Sequence, residues 1–187
     1  MKETNKIYIL LSHSGSLFSK LINICSGFPY THVSIALDSE LNELYSFGRI
    51  HPYNPIIGGF VREDIENGTF SRFPETMCAL YSLEIEEEQY NNLERELERF
   101  KKEKDKYGYN LLGVLSAAFN FPLHRKYNYF CSQFVSELLL KSGIRILDKN
   151  PDLTSPMDFG SCKELEIVYE GYLRTYNEVK MCPASFR

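Results

Sequence analysis

The sequence predicts an α+β fold, a mainly antiparallel sheet packed against helices. Two observations predict it. The elements run in the order helix, strands, helices, strand, not in a regular β-α alternation. A two-residue hydrophobic alternation early in the chain gives way to wide helical stripes later. The length of 187 residues suits one domain spanning 1–187. With 43% hydrophobic and 25% charged residues, the balance is globular, which excludes a disordered chain.

Ile7 to Leu11 is a short apolar run, expected as a buried strand. Ser14-Gly15-Ser16 offers N-cap chemistry for a helix over Leu17 to Cys25, ended by Gly27 and Pro29. Val33, Ile35 and Leu37 then alternate with Ser34, Ala36 and Asp38. A polar turn, Ser39 to Glu43, leads to a returning strand over Leu44 to Phe47. Pro52, Pro55 and paired glycines make Gly48 to Gly59 a loop, and a further strand pair is expected over Gly59 to Glu63 and Cys78 to Ile85.

Glu86 to Lys106 is the clearest helix, with Tyr90, Leu93, Leu97 and Phe100 as its apolar stripe. Leu111 to Phe119 is a short apolar helix, assigned to the core because a bilayer span needs ~20 residues. Cys131 opens a helix running to Ser142, with Phe134, Val135, Leu138 and Leu139 inside and Gly143 as its C′ residue. Past Pro151 and Pro156, Leu165 to Tyr169 reads as the last strand.

Several function classes are disfavoured. The net charge of -4, from 21 basic and 25 acidic residues, argues against a nucleic-acid partner. No apolar run is long enough for a membrane span, and the five apolar residues of Ile7 to Leu11 fall short of the roughly 7–15 in a signal peptide's core. The five cysteines are odd in number and none forms a C-x-x-C pair, so reduced thiols in a cytoplasm are expected. Cys25, Cys78, Cys162 and Cys182 lack a histidine at ligand spacing, so no metal is expected. Gly58-Gly59 lacks the frame of a phosphate cradle, and no cofactor is expected. His13, His51 and His124 are read as surface or structural residues.

Two segments carry chemistry. Tyr30-Thr31-His32-Val33-Ser34 places a histidine at the entrance of an alternating strand. Tyr129-Phe130-Cys131-Ser132-Gln133 places a cysteine in the first turn of an amphipathic helix. A helix N-terminus carries about half a positive charge and free amide donors, both of which stabilise a thiolate and lower the thiol pKa below ~8.5. The same amides suit an oxyanion formed on an attacked carbonyl. A histidine on a facing strand would take the thiol proton and return it to the leaving group.

Phe-Cys-Ser-Gln-Phe-Val at 130–135, placed after Thr-His-Val-Ser-Ile-Ala-Leu at 31–37, resembles the circularly permuted NlpC-type cysteine hydrolases, the YiiX-like branch of papain-like enzymes. The resemblance runs from the first strand to Pro156-Met157-Asp158-Phe159. It implies one permuted papain-like domain over 1–187, with Cys131 as nucleophile and His32 as general base. It also implies a third polar group on the strand after the histidine. If the turn centres near Glu40, Ser46 shares a sheet face with His32 and is the candidate. The chain departs from the family pattern at Phe130, where Asp is frequent, which disfavours the usual peptide amine. The activity implied is cleavage of an amide in a small peptide or acyl-amide through a Cys131 acyl-enzyme. Transfer or hydrolysis of lipid-like acyl groups, and a decayed binding module, are the rival readings.

Overall fold

The first strand is apolar on both sides, and that decides the centre of the sheet. In the computed structural model, which describes residues 4–15, 28–50, 58–118 and 120–181, the chain begins with β1 (Thr4–His13), β2 (His32–Ala36), β3 (Leu44–Arg49) and β4 (Gly58–Arg62). Then follow α1 (Gly68–Arg72), β5 (Met77–Glu86), α2 (Glu87–Lys102), β6 (Gly108–Tyr109), α3 (Leu111–Ala118), β7 (Asn128–Tyr129) and α4 (Cys131–Lys141). The last elements are α5 (Pro156–Gly160), β8 (Glu166–Tyr172) and α6 (Tyr176–Met181), with 3-10 turns at Lys104–Lys106, Pro151–Leu153 and Leu173–Thr175.

Six strands form one sheet in the order β4-β3-β2-β1-β5-β8, with every neighbouring pair antiparallel. Ile7, Ile9 and Leu11 of β1 belong to the larger core, with Val33 and Ile35 of β2, Leu93, Leu97 and Phe100 of α2, and Phe134, Val135 and Leu138 of α4. Leu10 faces a second core of Ala36, Leu44, Leu80, Phe70, Leu173 and Tyr176. A strand buried on both faces is stable only inside a sheet, so β1 takes β2 on one side and β5 on the other.

Several expectations need adjustment. The segments over Gly59 to Glu63 and Cys78 to Ile85 do not pair with each other: β4 extends the hairpin at β3, whereas β5 joins β1 and β8. The helix expected to reach Lys106 stops at Lys102, and the 3-10 turn at Lys104–Lys106 brings Tyr107 inward to burial. Gly48 and Gly59 are strand residues rather than loop. The helix expected over Leu17 to Cys25 lies outside the described residues, as do His51, Pro52 and Pro55. Helix α3 is not enclosed as a core helix would be: Leu112 is 56% and Leu111 38% exposed.

A small parallel pair, β6 with β7, was not foreseen, because two-residue strands leave no period in a sequence. It matters for position. Tyr109 lies beside Tyr129, and the Asn110 amide donates to the Tyr129 carbonyl at 2.9 Å, tying α3 to the segment that leads into Cys131.

Candidate active site

Helix α4 is held by its apolar face. Phe134 has no exposed surface and meets the rings of Phe47 of β3, Phe60 of β4 and Phe100 of α2 at centroid distances of 5.1–5.7 Å. Edge-to-face and tilted contacts of this kind favour one rotational setting of the helix. Its first turn is braced from a second side. The Ser132 hydroxyl donates to the Thr154 carbonyl at 2.6 Å, and the Gln133 side-chain amide donates to Asp152 at 2.6 Å. The Gln133 carbonyl in turn accepts the Phe130 amide at 3.3 Å, satisfying a backbone donor at the helix entrance. Phe130, 3% exposed, is a core residue. Cys131 is thereby fixed at the positive end of the helix, just beneath the surface at 6% exposure.

His32 opens β2, opposite Ser12 of β1. Strand alternation sets His32 and Ser34 on one face, and Val33 and Ile35 on the other, toward α4. The imidazole and the thiol nevertheless meet as hydrogen-bond partners. The ladder between β2 and β3 explains how. Its register pairs Ile35 with Tyr45 and Ala36 with Leu44 and goes no further toward His32. Beyond that point the Val33 backbone amide donates to the Cys131 sulfur, as does the Ser132 amide. The Val33 carbonyl takes its hydrogen bond from the Ser46 hydroxyl at 2.8 Å. The thiol occupies the place a continued ladder would close.

Ser46 is therefore not the group that meets the imidazole. It lies on the expected face of the sheet, but its hydroxyl is spent on the Val33 carbonyl. The ring's partner is Glu63, which follows β4: His32 Nε2 lies 2.8 Å from Glu63 Oε1. The second carboxylate oxygen of Glu63 accepts the Ser34 hydroxyl. With Nε2 so engaged, Nδ1 is the ring nitrogen left for sulfur.

Glu63 reaches across an intervening strand. The Glu63 amide donates to the Leu44 carbonyl at 2.8 Å, so the carboxylate sets out from the far side of β3. Strands two places apart are separated by roughly 10 Å, a span two long side chains can bridge only if the middle strand is low. Ser46 and Gly48 keep it low. A Cβ added at Gly48 would sit 3.7 Å from His32 Cε1 and 3.7 Å from Glu63 Oε1. A methyl fits there, but a branched side chain would push the pair apart.

The electrostatics follow from this packing. Burial alone would disfavour the His32 imidazolium, but the Glu63 carboxylate, the Cys131 thiolate and hydrogen bonds to both outweigh it, and the pKa is pushed up to about 10. Burial likewise opposes the Cys131 thiolate. The His32 charge, its hydrogen bond, and the Val33 and Ser132 amides overcome that, and the thiol pKa falls below its ordinary value. Each ionised group supports the other, so the favoured state is a thiolate–imidazolium pair. By contrast, burial and the nearby Glu170 carboxylate raise the Cys78 thiol to about 12, which makes it unreactive.

The remaining residues raised by the sequence play other parts. Tyr107 and Tyr129 are core residues, 8% exposed each, and their rings meet Phe47 and Phe100. His124 is exposed, with its ring 3.4 Å from Asp152. Among the described residues, no group of three or more His, Cys, Asp or Glu is arranged to hold a metal ion. No helix among them is long and apolar enough to cross a membrane.

No family model matches this chain, and no curated protein matches it significantly.

Proposed function

We propose that the protein is a thiol hydrolase that cleaves an amide of a small peptide or acyl-amide, within a permuted papain-like domain of the NlpC type. One observation carries the reading: the thiol at the head of α4 meets an imidazole whose far nitrogen is bonded to the Glu63 carboxylate. The Cys131 thiolate attacks the substrate carbonyl carbon, and the oxyanion is held by the Cys131 backbone amide at the helix N-terminus. His32 gives its proton to the leaving nitrogen as the C–N bond breaks, leaving a thioester. Water then attacks the thioester carbonyl, His32 takes its proton, and the carboxylic acid departs as the C–S bond breaks and the thiolate–imidazolium pair is restored. Glu63 stabilises the imidazolium and holds the ring in place, acting through His32 rather than on the substrate.

A decayed binding module would fit a third group that orients the imidazole only weakly, such as a hydroxyl; the Glu63 carboxylate bonded to His32 Nε2 at 2.8 Å argues against it. The acyl-ester reading, with lipid-like groups as substrate, draws support from the exposed Leu111 and Leu112, which follow Asn110, itself bonded to Tyr129 two residues before Cys131. Cytoplasmic residence is part of the same proposal, supported by Cys78, Cys131 and Cys162 all being free thiols.

The test is rate-resolved alkylation with iodoacetamide, together with hydrolysis of a panel of activated amides and esters. Cys131 is expected to label selectively at mildly acidic pH, and Cys131→Ala to reduce turnover to background. His32→Ala should lose about 10²–10⁴-fold. Equal labelling of Cys131 and Cys162, or turnover unchanged in Cys131→Ala, would overturn the proposal. Short peptides against long-chain acyl esters separate its two substrate readings.

A further inference from the structure

We infer that the excursion between β6 and β7 docks on an anionic phospholipid surface, so that the head of α4 faces a bilayer. The excursion, residues 110–127, leaves and returns at one place, because Gly108 pairs with Asn128 and Tyr109 with Tyr129. The buried Asn110 side chain ties its two arms together, accepting from the Gly113 amide at 3.0 Å and donating to the Leu123 carbonyl at 3.2 Å. The segment is thus a built projection, rooted two residues before Cys131.

Leu111, Leu112, Phe121 and Tyr127 are 38%, 56%, 65% and 44% exposed. Four large apolar side chains showing on one short excursion is the pattern of a contact surface rather than of scattered exposure. Exposed apolar side chains also occur on β8, at Ile167, Val168 and Tyr172, but there they stand among Glu166 and Glu170, whereas the excursion carries no acid.

Charge identifies the occupant. The chain carries a net charge of -4, yet residues 107–136 contain no Asp or Glu, whereas His124, Arg125 and Lys126 stand together there. Elsewhere Lys6 is paired with Glu84, Lys101 with Glu43 and Glu98, Lys106 with Glu103, Lys141 with Glu137, and Lys149 with Asp158, and the cations without such a pair, Lys102, Lys104 and Lys163 among them, lie on segments that also carry acids. Among the described residues Arg125 and Lys126 have no carboxylate partner; Lys126 lies over the Tyr127 ring at 5.0 Å. Asp152, which the neighbouring His124 meets, also accepts from the Gln133 side chain.

Apolar side chains next to unpaired cations suit a surface that is apolar within and negative at its rim, which is the profile of an anionic lipid interface. Helix α3 is far too short to span a bilayer, so the contact is peripheral. This inference goes beyond the thiol chemistry and does not depend on it.

The test uses the full chain carrying Cys131→Ala, which makes the readout independent of turnover. Co-sedimentation is measured with vesicles of phosphatidylcholine alone and of phosphatidylcholine with phosphatidylglycerol. Binding to the anionic vesicles is expected, weakening as salt rises. Arg125→Ala and Lys126→Ala should each weaken it about fivefold. Leu112→Glu with Phe121→Glu should abolish it while leaving the far-UV circular dichroism unchanged, since both side chains are exposed. Equal partition to both vesicle types, no partition to either, or binding untouched by the Leu112 and Phe121 substitutions would each overturn the inference. The last result, with binding lost to an excess of soluble protein, would point to a protein partner instead.

Discussion

His32 has two neighbours that favour its charged form, and they are separable. Removing the carboxylate in Glu63→Gln keeps a hydrogen-bonding group of similar size but withdraws the largest effect that raises the imidazole pKa. The kcat/KM profile of the native protein is expected to rise on the acid side as Cys131 ionises, below the ordinary thiol range, and to fall on the basic side near pH 10 as His32 loses its proton. In Glu63→Gln the basic limb should move down toward the ordinary histidine value of about 6.5. Stability carries the same signature. The folded-state pKa of His32 is raised, so its contribution is complete below about pH 6.5 and is lost as pH climbs through about 10. The melting-temperature gap between native protein and Glu63→Gln should therefore be widest near pH 6 and narrow toward pH 10. A pH-independent gap would mean that Glu63 acts only through packing.

Helix α4 places sulfur at its first turn; its start is fastened by a distant segment and its end by a local cap. At the start, Gln133 and Ser132 fasten the entrance to the 150–155 segment. At the other end Gly143 adopts φ +80°, the Gly143 amide donates to the Leu140 carbonyl and the Ile144 amide to the Leu139 carbonyl at 2.9 Å, closing the helix in a left-handed cap. A Cβ there would meet nothing within 4 Å, so the penalty for a side chain is conformational rather than steric. Gly143→Ala is expected to destabilise the fold by about 1–2 kcal/mol in urea denaturation. The pH profile of the thiol, set at the opposite end of the helix, should stay in place. Ser46 owes its role to the same strand pairing. In a regular ladder it would be an ordinary strand residue. Where β2 and β3 part, its hydroxyl satisfies the Val33 carbonyl and its small size leaves room for Glu63 to pass.

Across the whole molecule, one aromatic cluster joins the sheet to both long helices. Phe47, Phe60, Phe100 and Phe134 come from β3, β4, α2 and α4, with ring centroids 5.1–6.0 Å apart. The cluster holds the strands bearing Glu63 and Ser46 against the helix bearing Cys131. Phe134→Ala is expected to cost about 3–5 kcal/mol, because a rigid core does not collapse into the space left behind. Chemical denaturation monitored by tyrosine fluorescence measures it. Below the melting point, this variant should also slow Cys131 alkylation, since the thiol's setting depends on the helix it caps.

The sequence by itself determined several local elements and pointed to two of the candidate site's residues. The stripe of Leu93, Leu97 and Phe100 made a helix, Gly143 ended another, and the alternation from Val33 to Leu37 made a strand. Helix-end physics singled out Cys131, and a strand entrance singled out His32, because both signals lie within a few neighbouring residues. Only the tertiary structure decided that Glu63, rather than Ser46, meets the imidazole. A strand's partner and register are fixed by which faces the core buries, and the connection from β3 to β4 is too long to set them locally. Nor could periodicity reveal that the β2–β3 ladder opens for the thiol, or that Leu111 and Leu112 face outward, because both depend on what packs against the backbone from elsewhere in the chain.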